Sequence, residues 1–261
     1  METSTILIIT FCTAMAAMVL LWLVSLAIRN ASIVDAFWGS GFALIAIVSF
    51  ALGSGYSIRK LLITTLVIIW GLRPSIHIGW RNHGKGEDFR YQAMRKRIGS
   101  RFAFVSLFVV FGLQGVLMWI ISLPVQKAEF SIQPARLTVF DFIGLATWLI
   151  GFGFEAIGDW QLAKFKADPS NKGKVMDRGL WAYTRHPNYF GDALLWWGLF
   201  LIALSTPRGW ATVISPVIMT TLLMKVSGVA LLEKTLVKTR PAYQEYVRRT
   251  SAFFPMPPKR A

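Results

Sequence analysis

Cysteine occurs once in the 261 residues, at Cys12, and histidine three times, at His77, His83 and His186. A single thiol excludes an intrachain disulfide and any site built on several cysteines. Three scattered histidines offer no zinc-binding spacing, so no metal is expected. Charge is also scarce: 16% of residues are charged, against about 25% in a soluble domain. Acidic residues are the scarcest, 13 against 28 Lys and Arg, for a net charge of +15. No Gly-x-Gly-x-x-Gly turn follows a strand pattern, which excludes a Rossmann domain as host. There is no internal repeat, low-complexity stretch or separate polar domain. A basic balance on such a chain therefore points away from nucleic acid, which needs a basic patch on a polar domain.

What the chain has in quantity is apolar surface, with 54% hydrophobic residues, 19 Phe and 11 Trp and a mean hydropathy of +0.51. A membrane-crossing helix needs about 20 mostly apolar residues. The runs at 6–28, 36–52, 61–80, 102–123, 137–158, 189–204 and 211–232 predict seven such helices in one all-α membrane domain over 1–261. Glu2 precedes the first run and Arg29-Asn30 closes it, which reads as a retained helix rather than a cleaved leader. Positive charge tests the count, because Lys and Arg favour the cytoplasmic side of short loops. Residues 81–101, 159–187 and 233–261 hold 20 of the 28 basic residues, and seven spans put all three on one side. The N-terminus is then outside and the C-terminus cytoplasmic.

Ionisable residues within spans are costly and mark functional sites. Glu155 and Asp159 lie four apart, on one face of the fifth span. Downstream, Tyr183, Arg185, His186, Asn188, Tyr189 and Asp192 crowd into ten residues, with Pro187 suited to a first helical turn. Carboxylates and amides accept hydrogen bonds from ribose hydroxyls and a carboxamide, while Lys and Arg bind phosphates. The two types together at one helix mouth suit a nucleotide cofactor, held by the half from about 137 to 261.

The stretches Gly151-Phe-Gly-Phe-Glu-Ala-Ile-Gly-Asp-Trp-Gln-Leu and Gly179-Leu-Trp-Ala-Tyr-Thr-Arg-His-Pro-Asn-Tyr-Phe-Gly-Asp192 resemble the steroid 5-alpha-reductase C-terminal superfamily. More narrowly the chain resembles its bacterial membrane branch, DUF1295, also through Ser32-Ile-Val-Asp-Ala-Phe-Trp-Gly39, Gly86-Glu-Asp-Phe-Arg-Tyr91 and the tail from Glu233 to Pro258. The resemblance implies a seven-helix bundle of an inner membrane that uses NADPH, bound from the cytoplasmic side, to reduce a carbon–carbon double bond in a lipophilic substrate. By that resemblance Asp159, Asn188 and Asp192 contact the cofactor. Glu155 stands where the steroid enzymes carry asparagine, and Lys166 where they carry arginine. Arg185, His186 and Tyr189 belong to the same motif, and Arg178 adds a cation for a phosphate. The steroid enzymes activate the substrate ketone with a Gln-Glu pair and a later tyrosine. Here Asp35 lies near the place of that glutamate and Trp70 near that of the tyrosine, so these two are the catalytic candidates.

Several positions carry two readings. Asp35 caps its helix or acts in catalysis; Arg73, just before Pro74, marks a kink or contacts a cofactor phosphate. Glu87, Asp88, Arg90 and Tyr91 form a lid or a salt-bridged surface. Trp196 and Trp197 pack against lipid and neighbouring helices or stack on substrate. Arg240, Tyr243 and Tyr246 lie on an amphipathic segment that rests at the interface or closes over the cofactor. Two other functions remain open: a SAM-dependent membrane methyltransferase of the isoprenylcysteine or phospholipid type, which shares an Arg-His-Pro-x-Tyr motif and a later glutamate such as Glu233, and a non-enzymatic lipid-binding protein.

Overall fold

A computed structural model describes residues 2–226, 233 and 241–259. The described residues are overwhelmingly helical, with one isolated parallel bridge between Thr184 and Ser251. Among the described residues six helices are long and apolar enough to cross a membrane: α1 (Thr3–Ile28), α2 (Ile33–Leu52), α3 (Ser57–Asn82), α4 (Phe89–Ile121), α6 (Val139–Ala167) and α8 (Gly209–Val226). The described residues also form three shorter helices, α5 (Leu123–Phe130), α7 (Pro187–Leu204) and α9 (Pro241–Arg249), and single turns at Pro169–Asn171 and Leu180–Tyr183. The chain divides into two compact units. Unit 1 holds the residues up to Thr138 with Ala203–Thr212; unit 2 holds Val139–Ile202 and the residues from Val213 on.

Three of the expected spans, the third, fourth and fifth, begin or end four or more residues from where hydropathy alone put them, because polar turns remain helical beyond the apolar run. Thus α3 starts at Ser57 and passes through Pro74 to Asn82, and α4 begins at Phe89, inside the basic segment after α3. The expected sixth span forms as α7 but is not among the six, since its first turns are Pro187-Asn-Tyr-Phe-Gly-Asp192 and only 193–204 are continuously apolar. The end of the expected seventh span, residues 227–232, and Arg240 lie outside the described residues.

In unit 1, α1 is apolar on every side and buries only a narrow stripe, Ile6, Thr10, Ala14, Met18 and Ser25, at the three-to-four-residue period of one helical face. The rest of α1 exposes Leu20, Leu23, Val24 and Ile28, the pattern of a helix solvated by hydrocarbon. Helices α2 and α3 cross at Gly39 and Gly71, where a Cβ on either would strike the other's backbone. Small residues that let two backbones touch are the usual means of helix association in membranes. Phe42, Trp70, Ile45, Ile63 and Val67 fill the core beside that crossing.

In unit 2, α6 and α7 use the same device three times. Gly144, Gly151 and Gly158 recur every seven residues on α6 and meet Gly198, Gly191 and Pro187 on α7. A Cβ on Gly151 would lie 2.6 Å from the Leu195 backbone nitrogen, and one on Gly198 2.7 Å from the Gly144 carbonyl oxygen. The two helices therefore run in backbone contact over most of α7, and the polar side chains beside those glycines are forced together.

Candidate functional site

The α6–α7 contact in unit 2 sets the geometry of the predicted cofactor residues. Gly191 rests on the backbone nitrogen of Glu155, and Gly158 faces the backbone nitrogen of Asn188. Across that seam the Asn188 amide Nδ2 donates to Asp159 Oδ1 at 2.9 Å. The amide oxygen of Asn188 is buried and accepts no hydrogen bond among the described residues. Leaving a buried polar atom unmatched costs roughly 1–3 kcal/mol, so it marks a place where a donor is missing. Glu155 is 6% exposed on the same helix, one turn before Asp159. Asp192, half-buried, follows Gly191 on α7. Four of the predicted residues, Glu155, Asp159, Asn188 and Asp192, are thus brought to one helix crossing.

The Arg185-His186 pair has a different role. Arg185 is 7% exposed and its guanidinium is engaged on both sides. Nε and one terminal nitrogen grip the two carboxylate oxygens of Glu233 at 2.6 and 3.1 Å. The other terminal nitrogen donates to the carbonyls of Val247 and Thr250 at 3.0 and 2.5 Å. His186 Nε2 also reaches Glu233, at 3.2 Å, and its ring stacks on Tyr189. Burial pushes the Glu233 carboxyl up, but the bonds from His186 and Arg185 outweigh it and pull it down to about 2.

The tail completes this knot. Arg185 N donates to Ser251 O, Thr184 Oγ1 to Phe253 O and Met256 N to Tyr183 O. The Tyr246 hydroxyl donates to Trp181 O at 2.5 Å, and Arg249 pairs with Asp177. Phe253 and Phe254 both meet Phe190 edge-on. The tail from Tyr243 onward is therefore folded onto the Arg-His-Pro-Asn-Tyr segment, and Tyr243 and Tyr246 are buried rather than laid on an interface. Exposed cations of unit 2 lie elsewhere, among them Lys166, Lys172, Lys174 and Arg178. Trp196 is fully buried, and Trp197 donates to Thr220 Oγ1 at 3.2 Å, so both belong to the core of the unit.

The remaining candidates lie in unit 1. Asp35 sits in the first turn of α2 without capping it. One oxygen accepts from Arg90 at 2.6 Å and the other from the Tyr91 hydroxyl at 2.7 Å. The loop that precedes α4 is tied down by the same cluster, since Glu87 accepts from the Ala31 N–H and Arg95, and Asp88 N donates to Ser32 Oγ. Glu87 and Asp88 are partly buried, yet Arg95 and Arg90 hold both carboxyls below the ordinary range. This is the salt-bridged reading of that segment. Trp70 is 1% exposed and packs edge-on against Phe42, and Arg73 is half-buried on α3. A tyrosine–carboxylate pair is thus present, but it joins Asp35 to Tyr91. Periodicity could not find it, because the partners are 56 residues apart.

Comparison with known proteins gives three results. The model of a family described as a protein of unknown function (DUF1295) matches residues 21–250. An uncharacterized protein of Schizosaccharomyces pombe is 24% identical over 266 residues, covering 90% of this chain and 75% of its own length. No solved structure matches the chain.

Proposed function

The chain belongs to the DUF1295 family, and from that premise we propose that it is an integral-membrane, NADPH-dependent reductase of an activated carbon–carbon double bond in a lipophilic substrate. The proposal extends to membership of the steroid 5-alpha-reductase superfamily, to α7 as a seventh span and to a cytoplasmic, inner-membrane face for the basic segments. The observation that carries it is the α6–α7 crossing, where Asn188 keeps an unmatched buried amide oxygen beside the Asp159 carboxylate. An amide and a carboxylate so placed take the N–H and O–H donors of a carboxamide or ribose. The residues present fit the rest of the cofactor unevenly. Lys166 and Arg178 are exposed cations suited to its phosphates. Arg185 is already bonded to Glu233, Val247 and Thr250, so it positions the segment that carries Asn188 and leaves phosphate binding to others.

When bound, NADPH supplies hydride for the electron-poor carbon of the substrate. The protein's part in unit 2 is to orient: the glycine contacts fix α6 against α7, Asp159 fixes the Asn188 amide, and Glu233 fixes Arg185 and His186. The convergence of Arg185 and His186 on Glu233 is also what a methyltransferase of the isoprenylcysteine type would use, and it supports that second reading. Binding separates the two. Detergent-purified protein titrated with NADPH, followed by nicotinamide fluorescence, is expected to saturate, with affinity at least tenfold weaker in Asn188→Ala and Asp192→Ala. Saturable SAM binding without NADPH binding would overturn the reductase and favour the methyltransferase.

A further inference from the structure

Unit 1 contains a pocket that the proposed reductase chemistry does not use. It opens where the turn between α1 and α2 faces the end of α3, with a volume of about 160 Å³, far more than the roughly 10–15 Å³ that admits a single water. Its polar wall is Asn30, Ser32, Asn82 and His83; the Asn30 and Asn82 amides and the His83 ring can donate hydrogen bonds, while the Ser32 hydroxyl donates to Asn30 Oδ1. Gly79 and Gly86 form the opposite wall, and a Cβ on either would meet nothing within 4 Å. Packing does not demand glycine at these positions; what glycine leaves there is room.

The exposed charges flanking the pocket are positive. Arg29, Arg81 and Lys85 are exposed residues next in sequence to Asn30, Asn82 and Gly86. The acidic groups of the neighbouring loop are engaged in ion pairs: Glu87 holds Arg95 and the Ala31 N–H, and Asp88 holds Arg90 while also attracting Arg81. The apolar surface at the same level is exposed, with Ile76 at 68% and Trp80 at 77% on the last turns of α3 and Phe89 at 67% at the start of α4. Tryptophan at the end of a membrane helix is characteristic of the headgroup level, and basic pockets between such helices hold anionic headgroups.

We propose that the pocket bounded by Asn30, Ser32, Gly79, Asn82, His83 and Gly86 is a binding site for the phosphate of an anionic phospholipid. The Asn30 and Asn82 amides and the His83 ring take the phosphate oxygens, Arg81 and Lys85 supply the countercharge, and the acyl chains lie along the exposed face of Ile76 and Trp80. This site is independent of the nucleotide reading, since all of its residues are in unit 1.

Native mass spectrometry of the detergent-purified full chain, titrated with phosphatidylglycerol and with phosphatidylcholine, tests it. Phosphatidylglycerol is expected to be retained at least tenfold better, and Arg81→Gln combined with Lys85→Gln to remove most of that preference. Gly79→Leu, whose Cβ meets nothing within 4 Å, places a side chain in the pocket and is expected to abolish retention at an unchanged melting temperature. Lys172→Gln combined with Lys174→Gln, equal in charge but in unit 2, should leave retention as in the parent. Equal retention of the two lipids, or full retention by Gly79→Leu, would overturn the site. Displacement of the lipid by inorganic phosphate at comparable concentration would overturn the lipid assignment in favour of a soluble phosphate.

Discussion

Glu129 offers the sharpest test of the packing in unit 1. It lies on α5, outside the six long helices, and is fully buried. Its carboxyl meets the Ser49 hydroxyl of α2 and, at 2.5 Å, the Thr64 hydroxyl of α3. Each hydroxyl has one proton and also lies within bonding distance of a carbonyl of its own helix, Ile45 for Ser49 and Lys60 for Thr64. If both protons go to those carbonyls, the carboxyl must supply the missing donor itself, which only the neutral acid can do. Burial pushes the group up to about 8, against the pull of Ser49, Thr64 and Lys60.

The consequence for stability has a definite sign. The unfolded chain releases this proton near 4.5, while the folded chain holds it until about 8. The stability that this group contributes is therefore full below 4.5 and falls through the window up to 8, at about 1.4 kcal/mol per pH unit. Across the window that is on the order of 5 kcal/mol, or on the order of 10 °C in melting temperature. Glu129→Gln supplies a permanent neutral donor and acceptor of nearly the same shape. Tryptophan-fluorescence melting in detergent from pH 5 to pH 9 is expected to show the parent losing ground steadily, with the variant flatter and more stable above pH 8. Parallel curves for the two proteins would refute the buried, neutral carboxyl.

Three other outcomes follow from the same structure. Gly151→Leu, placing a side chain 2.6 Å from the Leu195 backbone nitrogen, should destabilise by about 1–3 kcal/mol or more; it should also break the Asn188–Asp159 bond, read as loss of nucleotide binding alongside a lower melting temperature. Arg185→Lys keeps the charge but loses the fork on Glu233 and the two tail carbonyls, and should cost about 3–5 kcal/mol, with limited proteolysis then cutting first in the tail after Tyr243. Because Glu233 is held at about 2, the stability that its pairing adds is complete above 4.5 and disappears as pH falls through about 2; the acid limb of the melting profile should be lost in Glu233→Gln.

Helices were the legible part of this chain, because a run of apolar residues announces itself without knowledge of any partner. Their ends were not. Helix α4 takes in Arg90, Arg95 and Lys96, whose charges read as loop in hydropathy but which face Asp35, Glu87 and solvent on a continuing helix. In the site, the Glu155–Asp159 spacing and the Asn188–Asp192 spacing each placed two residues on one helical face. What aligns those faces is the seven-residue recurrence of glycine on both α6 and α7, a signal carried by residues without side chains and invisible in a search for chemistry. The partners of Asp35 were in view as residues and hidden as contacts, since nothing local relates position 35 to position 91.

The +15 net charge also changes meaning once burial is known. A topology signal needs cations at the surface, yet Arg59 is fully buried, donating to the carbonyls of Pro134 and Arg136, and Arg185 is spent on Glu233 and the tail. These two stiffen a turn and a tail by donating to their carbonyls, a use that Lys, with its single flexible ammonium, would serve poorly. Arg90 and Arg95 neutralise carboxylates of their own segment. Other cations are exposed, among them Arg29, Arg81 and Lys85 in unit 1 and Lys166, Lys172, Lys174 and Arg178 in unit 2. Anions approaching either unit therefore meet these residues first, so neutralising the unit 1 set and the unit 2 set separately should weaken lipid and nucleotide binding independently.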